Sequence, residues 1–310
     1  MALTSCRAPA PASPKACPSQ AEVLEAAALA FERAYIRPEG AALAATSLRR
    51  AAADGRYGRL CAQGEAFAKA LTADLRHTTG DGHVMLEYVA GASRPGDDRG
   101  WIDAWLQRGP SVGWGVAEAR VLEGGVGYVK LTSFYPLEFA ARPLGEALRA
   151  VAGAGALVLD LRGNGGGDDE AANAVTAALL DDDRRLLLRY QDRARVTREV
   201  RAEHVLPGPR FGASRPLAVL LDRRSFSAAE AVAYVLQAEG RARVVGEPTG
   251  GGAHLTTKER DLPQGFRLGV PDEMPIHPRT GANWEGKGVS PDLPAPAADA
   301  LDVALRWARS

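Results

Sequence analysis

Two serines lie at a turn where a hydroxyl group could act as a nucleophile. Ser225 and Ser227 follow the apolar run Leu217–Leu221, and an Ala-rich, helix-forming segment begins directly after Ser227. The first N–H groups of a helix have no partner within the helix, so they can stabilise an oxyanion beside such a serine. Serine is also a favoured N-cap residue. The turn alone therefore allows two interpretations, a nucleophile and a plain helix cap.

A glycine-rich loop follows a second apolar run. Residues 156–161 (ALVLDL) lead into residues 162–167 (RGNGGG). A phosphate-binding GxGxxG loop would need glycine at position 168, which is Asp168, and no Gly-Lys-Ser/Thr follows. Asp168 and Asp169 would also repel a phosphate. A tight turn remains one interpretation, and one side of an oxyanion hole is the other, because a glycine N–H can closely approach a negative oxygen.

Candidate bases and acids are spread along the chain. The histidines are His77, His83, His204, His254 and His277. An imidazole titrates near neutral pH and can take the proton of a serine hydroxyl, although each could equally be an ordinary surface side chain. Glu285 lies in the unusual loop NWEGKGVSPD. Its carboxylate could orient an imidazole or be a solvated turn acid.

Composition is that of an ordinary globular protein. The chain has 310 residues, of which 46% are hydrophobic and 25% charged, with 38 basic and 38 acidic side chains. This neutral balance predicts no nucleic-acid partner. No apolar run is long enough to span a membrane. Cys6, Cys17 and Cys61 have no CxxC spacing and no nearby histidine pair, so we predict no metal site. We also expect no cofactor.

The chain divides into three regions of different character. Residues 1–20 are rich in Ala, Pro and Ser and indicate a disordered linker or a processed N-terminus. Residues 21–90 are mainly helical in pattern. In residues 91–310, short apolar strands alternate with helices from Trp114 onward. This alternation predicts an α/β domain whose parallel or mixed sheet is covered on both faces.

The N-terminal region bears on location. Leu3-Thr4-Ser5-Cys6 resembles a lipobox, but no basic segment and apolar core precede it. We expect a bacterial envelope or periplasmic location with Cys6 as a candidate lipid anchor, and a cytoplasmic location is the alternative. Cys17 and Cys61 could pair in an oxidising compartment.

Several sequence blocks occur together in an order typical of one peptidase superfamily. They are residues 71–86 (LTADLRHTTGDGHVML), 127–135 (GYVKLTSFY), 157–167 (LVLDLRGNGGG), 225–252 (SFSAAE to GEPTGGG) and 284–292 (WEGKGVSPD). Over residues 20–300 the chain resembles the C-terminal processing (tail-specific) peptidases, the tricorn protease core and the interphotoreceptor retinoid-binding protein modules. Its sequence most resembles the retinoid-binding protein modules.

The resemblance implies a fold and part of an active site. The fold would be a ClpP/crotonase-like β/α core with a helical N-terminal domain, and the stretch 90–125 is too short for a PDZ domain. Ser227 would be the nucleophile. The N–H groups of Ala228 and of Gly165 or Gly166 would form the oxyanion hole.

The resemblance also points to the base. The processing peptidases use a lysine in a GExTxGKG loop, and its position here is Gly252, so a serine–lysine dyad is excluded. The tricorn-like branch uses serine, histidine and glutamate, and His83 and Glu285 match its two partners. A Ser-His-Glu triad is therefore predicted. One departure is Gly82, which stands where the tricorn-type site has a serine.

These residues favour a serine peptidase that cleaves peptides or proteins through an acyl-enzyme. The alternative is a non-catalytic protein that binds an apolar ligand, a retinoid or a fatty acid, on the same fold. A nucleotide-binding function fails on the glycine spacing. An esterase is disfavoured because Ser227 lies between Phe226 and Ala228 rather than in GxSxG. The oligomeric state stays open.

Overall fold

The computed structural model describes residues 18–89 and 100–309. The helices are α1 (Pro18–Ala34), α2 (Pro38–Ala53), α3 (Gly64–Thr79), α4 (Gly100–Arg108), α5 (Leu137–Ala150), α6 (Asp169–Ala178), α7 (Ala228–Ala238) and α8 (Ala300–Ala308). The strands are β1 (Met85–Tyr88), β2 (Val116–Val121), β3 (Val126–Leu131), β4 (Ala156–Asp160), β5 (Leu186–Gln191), β6 (Val196–Arg201), β7 (Leu217–Leu221), β8 (Arg243–Gly246), β9 (Arg260–Leu262), β10 (Phe266–Gly269), β11 (Met274–Ile276) and β12 (Leu293–Pro294).

The chain forms two compact units. Unit one contains the described parts of Met1–Thr79 and Val84–Pro95, together with Lys258–Val270. Unit two contains Gly80–His83, the described part of Gly96–Thr257, and Pro271–Ser310. No helix in the described residues is both long and apolar enough to cross a bilayer. Cys61 is disulfide-bonded, and Cys6 and Cys17 lie outside the described residues.

Unit one combines helices α1–α3 with a small antiparallel sheet in the order β1-β10-β9. Strand β10 pairs with β1, with Met85 opposite Gly269 and Tyr88 opposite Phe266. Apolar side chains at helical spacing form its interior, and the rings of Phe67 and Phe266 meet edge to face at 5.3 Å. A segment distant in sequence thus completes this sheet.

Unit two is built on a six-stranded sheet in the order β12-β8-β7-β4-β3-β2. Only β2 is antiparallel to its neighbour. Strands β4 and β7 are buried along their whole length, which requires cover on both faces. One face packs on α5, α6 and α7 through Leu157 and Leu159. The other packs on α8 through Val158. The mixed α/β fold is therefore confirmed.

A second sheet in unit two is three-stranded and antiparallel, in the order β11-β5-β6. The central features for function are the carboxyl ends of β4 and β7, which are parallel neighbours with Leu159 opposite Val219. Because parallel strands end at the same edge, the glycine loop after β4 and the serine turn after β7 lie side by side.

Candidate active site

The turn after β7 holds Ser227 in an unusual backbone conformation. Its φ is 55° and its ψ is −122°, a region that costs a non-glycine residue about 1–3 kcal/mol. Asp222 shapes the turn, since its Oδ1 accepts N–H bonds from Gly163, Arg224 and Ser225. Ser225 is fully buried and donates its hydroxyl to the carbonyl of Leu161 at 2.9 Å. Of the two serines, Ser225 is therefore structural.

His83 lies beside the Ser227 hydroxyl. Ser227 Oγ and His83 Nε2 are 3.0 Å apart, within hydrogen-bond distance for proton transfer. The backbone N–H of His83 donates to Asp81 Oδ1 at 2.9 Å. The imidazole ring packs on Phe226, with ring centroids 4.8 Å apart. Two of the three predicted triad residues thus meet, although 144 positions separate them in sequence.

Glu285 contacts a different histidine. Its Oε2 accepts the backbone N–H groups of Ala253 and His254 at 2.7 and 3.0 Å, and its Oε1 lies 3.6 Å from His254 Nδ1. His254 Nδ1 is 2.7 Å from Asp81 Oδ2. Glu285 therefore contacts His254. Asp81 is the carboxylate that hydrogen-bonds to His83.

The pKa values of Asp81 and Glu285 are shifted in opposite directions. Burial opposes ionisation of Asp81, but the hydrogen bond and charge of His254, together with the His83 N–H, hold the pKa of Asp81 below its usual value. Burial and the nearby negative charge of Asp81 raise the pKa of Glu285. Negative charge is therefore favoured on Asp81, which binds the backbone N–H of His83 and interacts electrostatically with its side chain.

The predicted oxyanion donors differ in their contacts. The N–H of Gly166 donates to Asn164 Oδ1 at 2.8 Å, so this group is used within the loop. Gly166 has a φ of 98°, and a Cβ there would lie 2.8 Å from Ser227 Cβ. Gly165 lines the adjacent cavity. Ala228 is the first residue of α7, so its N–H points out of the helix end beside Ser227.

Phe226 explains two of the glycines. A Cβ at Gly252 would lie 2.1 Å from Phe226 Cζ, and one at Gly82 would lie 2.8 Å from the same atom. The phenyl ring thus fills the space that a side chain at either position needs. A lysine at position 252 or a serine at position 82 would displace the ring that packs on His83.

Glu230 anchors the loop opposite. It is fully buried and accepts N–H bonds from Ser227, Gly251 and Gly252 at 2.9, 2.7 and 2.8 Å, with a further bond from the Thr249 hydroxyl. Burial raises the pKa of Glu230, and these bonds oppose the shift. Glu230 therefore joins the serine turn to the glycine loop.

A cavity adjoins the glycine loop that follows β4. Its volume is about 460 Å³, in the usual range for ligand sites. It is lined by Ile102, Trp105, Ser133, Pro136, Gly165, Gly166, Gly167 and Asp168. Trp105 stacks on Tyr135 at 4.3 Å between ring centroids. The cavity therefore offers an apolar wall close to Ser227.

The sequence did not assign Asp81, Glu230 or Phe226 to this site, and it offered His254 only as one of five candidate bases. Asp81 lies two residues before His83, and His254 lies two residues after Gly252. Phe226 precedes Ser227 directly, and Glu230 follows it by three residues. Asp81, His254 and Glu230 are all buried polar groups, which must be hydrogen-bonded. The only sequence signal was that each residue lies within three positions of a glycine or of Ser227. This signal does not show which residues bond to each other.

Comparison with known proteins identifies the family. The model of Peptidase family S41 matches residues 125–295, more than half of the chain. The chain belongs to peptidase family S41. This S41 peptidase is thus a serine-type peptidase, and its substrates are peptides or proteins. The superfamily predicted from the sequence blocks is confirmed.

Solved structures share the fold of this S41 peptidase. A lipoprotein from Streptococcus agalactiae is 16% identical with a TM-score of 0.62, covering 94% of this chain and 97% of that chain. The photosystem II D1 C-terminal processing protease is 20% identical with a TM-score of 0.54, covering 95% and 98%. The tricorn protease is 13% identical with a TM-score of 0.53, covering 94% of this chain and 37% of its own.

Proposed function

We propose that this S41 peptidase cleaves peptide bonds through an acyl-enzyme on Ser227, with His83 as the base. The observation that carries the proposal is the 3.0 Å distance between Ser227 Oγ and His83 Nε2. The hydroxyl donates its proton to Nε2 as Oγ attacks the peptide carbonyl. His83 then gives this proton to the leaving amine, and water repeats the sequence to release the acyl group. A positioned base contributes about 100- to 10,000-fold in rate.

The oxyanion would be held by the N–H groups of Ala228 and Gly165. Ala228 opens α7, and Gly165 lines the cavity beside it. The N–H of Gly166 already donates to Asn164, so we assign Gly166 the role of allowing close approach. Loss of one such donor costs about 3–4 kcal/mol of transition-state stabilisation.

The acid of the triad would act from a cluster rather than alone. Glu285 was the predicted acid, and an oxygen of its carboxylate lies within 4.8 Å of one of Asp81. We propose that Glu285 supports the imidazolium of His83 through this neighbour, whose charge interacts with His83. A buried carboxylate stabilises the imidazolium that forms during attack.

The cavity of about 460 Å³ bears on which substrate side chains the peptidase accepts beside the cleaved bond. Its wall of Trp105, Ile102 and Pro136 lies next to Gly165. We propose that it receives an apolar side chain adjacent to the scissile bond, because burying apolar area there gains about 25 cal/mol per Å².

Fluorophosphonate labelling tests the nucleophile. We expect the wild type to be labelled on Ser227, and Ser227→Ala or His83→Ala to abolish labelling and peptide hydrolysis. Ser290→Ala and His204→Ala are the matched controls, since both residues lie outside the site and should leave both readouts unchanged. Undiminished hydrolysis by Ser227→Ala would reject the assignment. An unlabelled wild type that binds a fatty acid tightly would favour the ligand-binding alternative.

We also propose an envelope location with a lipid anchor at Cys6. The support is the lipobox-like Leu3-Thr4-Ser5-Cys6, and one structure of similar fold is a lipoprotein. Fractionation after metabolic labelling with palmitate should place the wild type in the membrane fraction and Cys6→Ser outside it. Equal distribution of the two proteins would refute the anchor.

A further inference from the structure

Three side chains form a buried cluster directly behind the base. We call Asp81, His254 and Glu285 the acid cluster. Their side chains are 0%, 2% and 7% exposed. One nitrogen or oxygen atom of each side chain lies within 4.8 Å of those of the other two. They come from three separate segments of unit two. Because burying charged or polar groups is costly unless they are paired, their arrangement calls for an explanation.

Asp81 connects the cluster to the base. Its Oδ1 accepts the backbone N–H of His83 at 2.9 Å, and its Oδ2 lies 2.7 Å from His254 Nδ1. An ionised carboxylate can only accept hydrogen bonds, so the proton of this second bond is on Nδ1 of His254. His254 therefore holds the carboxylate that in turn holds the backbone of His83.

Glu285 connects the cluster to the loop that carries His254. Its Oε2 binds the N–H groups of Ala253 and His254, so it fixes the backbone from which the imidazole projects. Its Oε1 lies 3.6 Å from His254 Nδ1. The titratable groups facing Asp81 are thus His83, His254 and Glu285. Two carboxyl groups this close do not ionise together readily, and one is favoured in the charged form.

We propose that His254 is a positioning residue of the peptidase: it donates Nδ1–H to Asp81 and thereby keeps a negative charge beside His83 while His83 faces Ser227. This inference rests on the proposed role of Ser227 and His83. The interaction between Asp81 and a protonated His83 is reciprocal, since the attraction that favours the carboxylate favours the imidazolium equally. His254 thus acts on the reaction through Asp81 and contacts no substrate.

The amide of asparagine separates this role from a merely structural one. The Nδ2 of asparagine falls close to the position of the histidine Nδ1, so His254→Asn keeps a donor towards Asp81, whereas His254→Ala removes it. Both variants keep the backbone N–H that binds Glu285. We expect His254→Ala to lower kcat by about 10- to 100-fold, the usual worth of a hydrogen bond to a charged group. KM should be unchanged, and His254→Asn should recover most of the loss.

The pH profile gives a readout that packing alone would not move. Asp81→Asn keeps an oxygen for the His83 N–H but removes the charge, so the acid limb of the kcat/KM profile should shift to lower pH. His254→Ala and His254→Asn losing activity equally, or both keeping the wild-type rate and acid limb, would overturn the inference. An unchanged acid limb in Asp81→Asn would do so as well.

A measurement without turnover separates this inference from the proposed function. In protein labelled with 15N-histidine, long-range 15N–1H correlations report which ring nitrogen carries the proton. We expect His254 protonated at Nδ1 in the wild type, with the signal assigned by its loss in His254→Asn. A His254 ring protonated only at Nε2 overturns the inference even if Ser227 is labelled. A missing Ser227 label would instead refute the proposed function, whatever the histidine spectrum shows.

Discussion

The backbone strain at Ser227 can be measured because glycine relieves it. With φ at 55° and ψ at −122°, any residue with a Cβ is in a costly region, while glycine is not. Ser227→Gly and Ser227→Ala both remove the hydroxyl, so both should be inactive. Their stabilities should differ, because alanine retains the strain of about 1–3 kcal/mol and glycine does not.

Two unrelated effects must be subtracted from that difference. Glycine loses more chain entropy on folding than alanine, at a cost of about 0.4–1 kcal/mol, and it is also the better N-cap residue of the two. Asp168 provides the matched position, since it is the N-cap of α6 with an ordinary φ of −72°. Both effects are shared by the pair Asp168→Gly and Asp168→Ala. The excess of the glycine advantage at 227 over that at 168 should therefore be about 1–3 kcal/mol.

Urea unfolding followed by tryptophan fluorescence is suitable for this comparison. All five tryptophans (Trp101, Trp105, Trp114, Trp284 and Trp307) belong to unit two, so the signal reports the unit that contains Ser227. With a urea m value of about 1–3 kcal/mol per M, an excess of 1 kcal/mol moves the unfolding midpoint by about 0.3–1 M. Equal glycine advantages at the two positions would show that the serine turn stores no strain.

Three further predictions concern the surroundings of the site. Burial raises the pKa of Asp169 to about 6, so the folded protein holds a proton that the unfolded chain has released. The stability that Asp169 contributes should therefore fall by about 1–3 kcal/mol as pH rises from about 4 to 6, measured as the difference in urea unfolding between the wild type and Asp169→Asn. Gly252→Ala should push Phe226 away from His83 and lower kcat/KM by at least about 10-fold. Gly153→Ala is the control, because a Cβ there has nothing within 4 Å, and it should leave kcat/KM unchanged. Equal kcat/KM in the two variants would show that Phe226 does not position His83. Trp105→Ala should raise KM for peptides with a large apolar residue beside the cleaved bond more than for those with alanine, and a uniform effect across a peptide series would mean that the cavity does not select side chains.

Local pattern was sufficient for the central strands of unit two. The runs at 156–161, apolar except for Asp160, and at 217–221 predicted β4 and β7, because a strand covered on both faces is mostly apolar. Strand β6 was not predicted, since its sequence VTREVR carries three charged residues and has no continuous apolar run. The sheet β1-β10-β9 joins residues about 180 positions apart, a pairing to which no local signal points.

The residues of the site divide in the same way. The position of Ser227 between a buried strand and a helix is local, and it allowed both a nucleophile and a plain helix cap until the resemblance favoured the nucleophile. The resemblance chose Ser227 over Ser225, and the physical reason, the burial of Ser225 and its bond to the carbonyl of Leu161, comes only from the fold.

The amino-acid sequence by itself determined the family, the strand–turn–helix around the serine and the absence of a lysine at position 252. The resemblance already named His83 and Glu285, whereas only the tertiary structure brought Asp81 and His254 together behind His83. The physical reason is that hydrogen bonds and buried charge act over about 3 Å, while Asp81 and His254 are 173 positions apart in the chain. Such pairs exist only once the sheet has brought its loops to one edge.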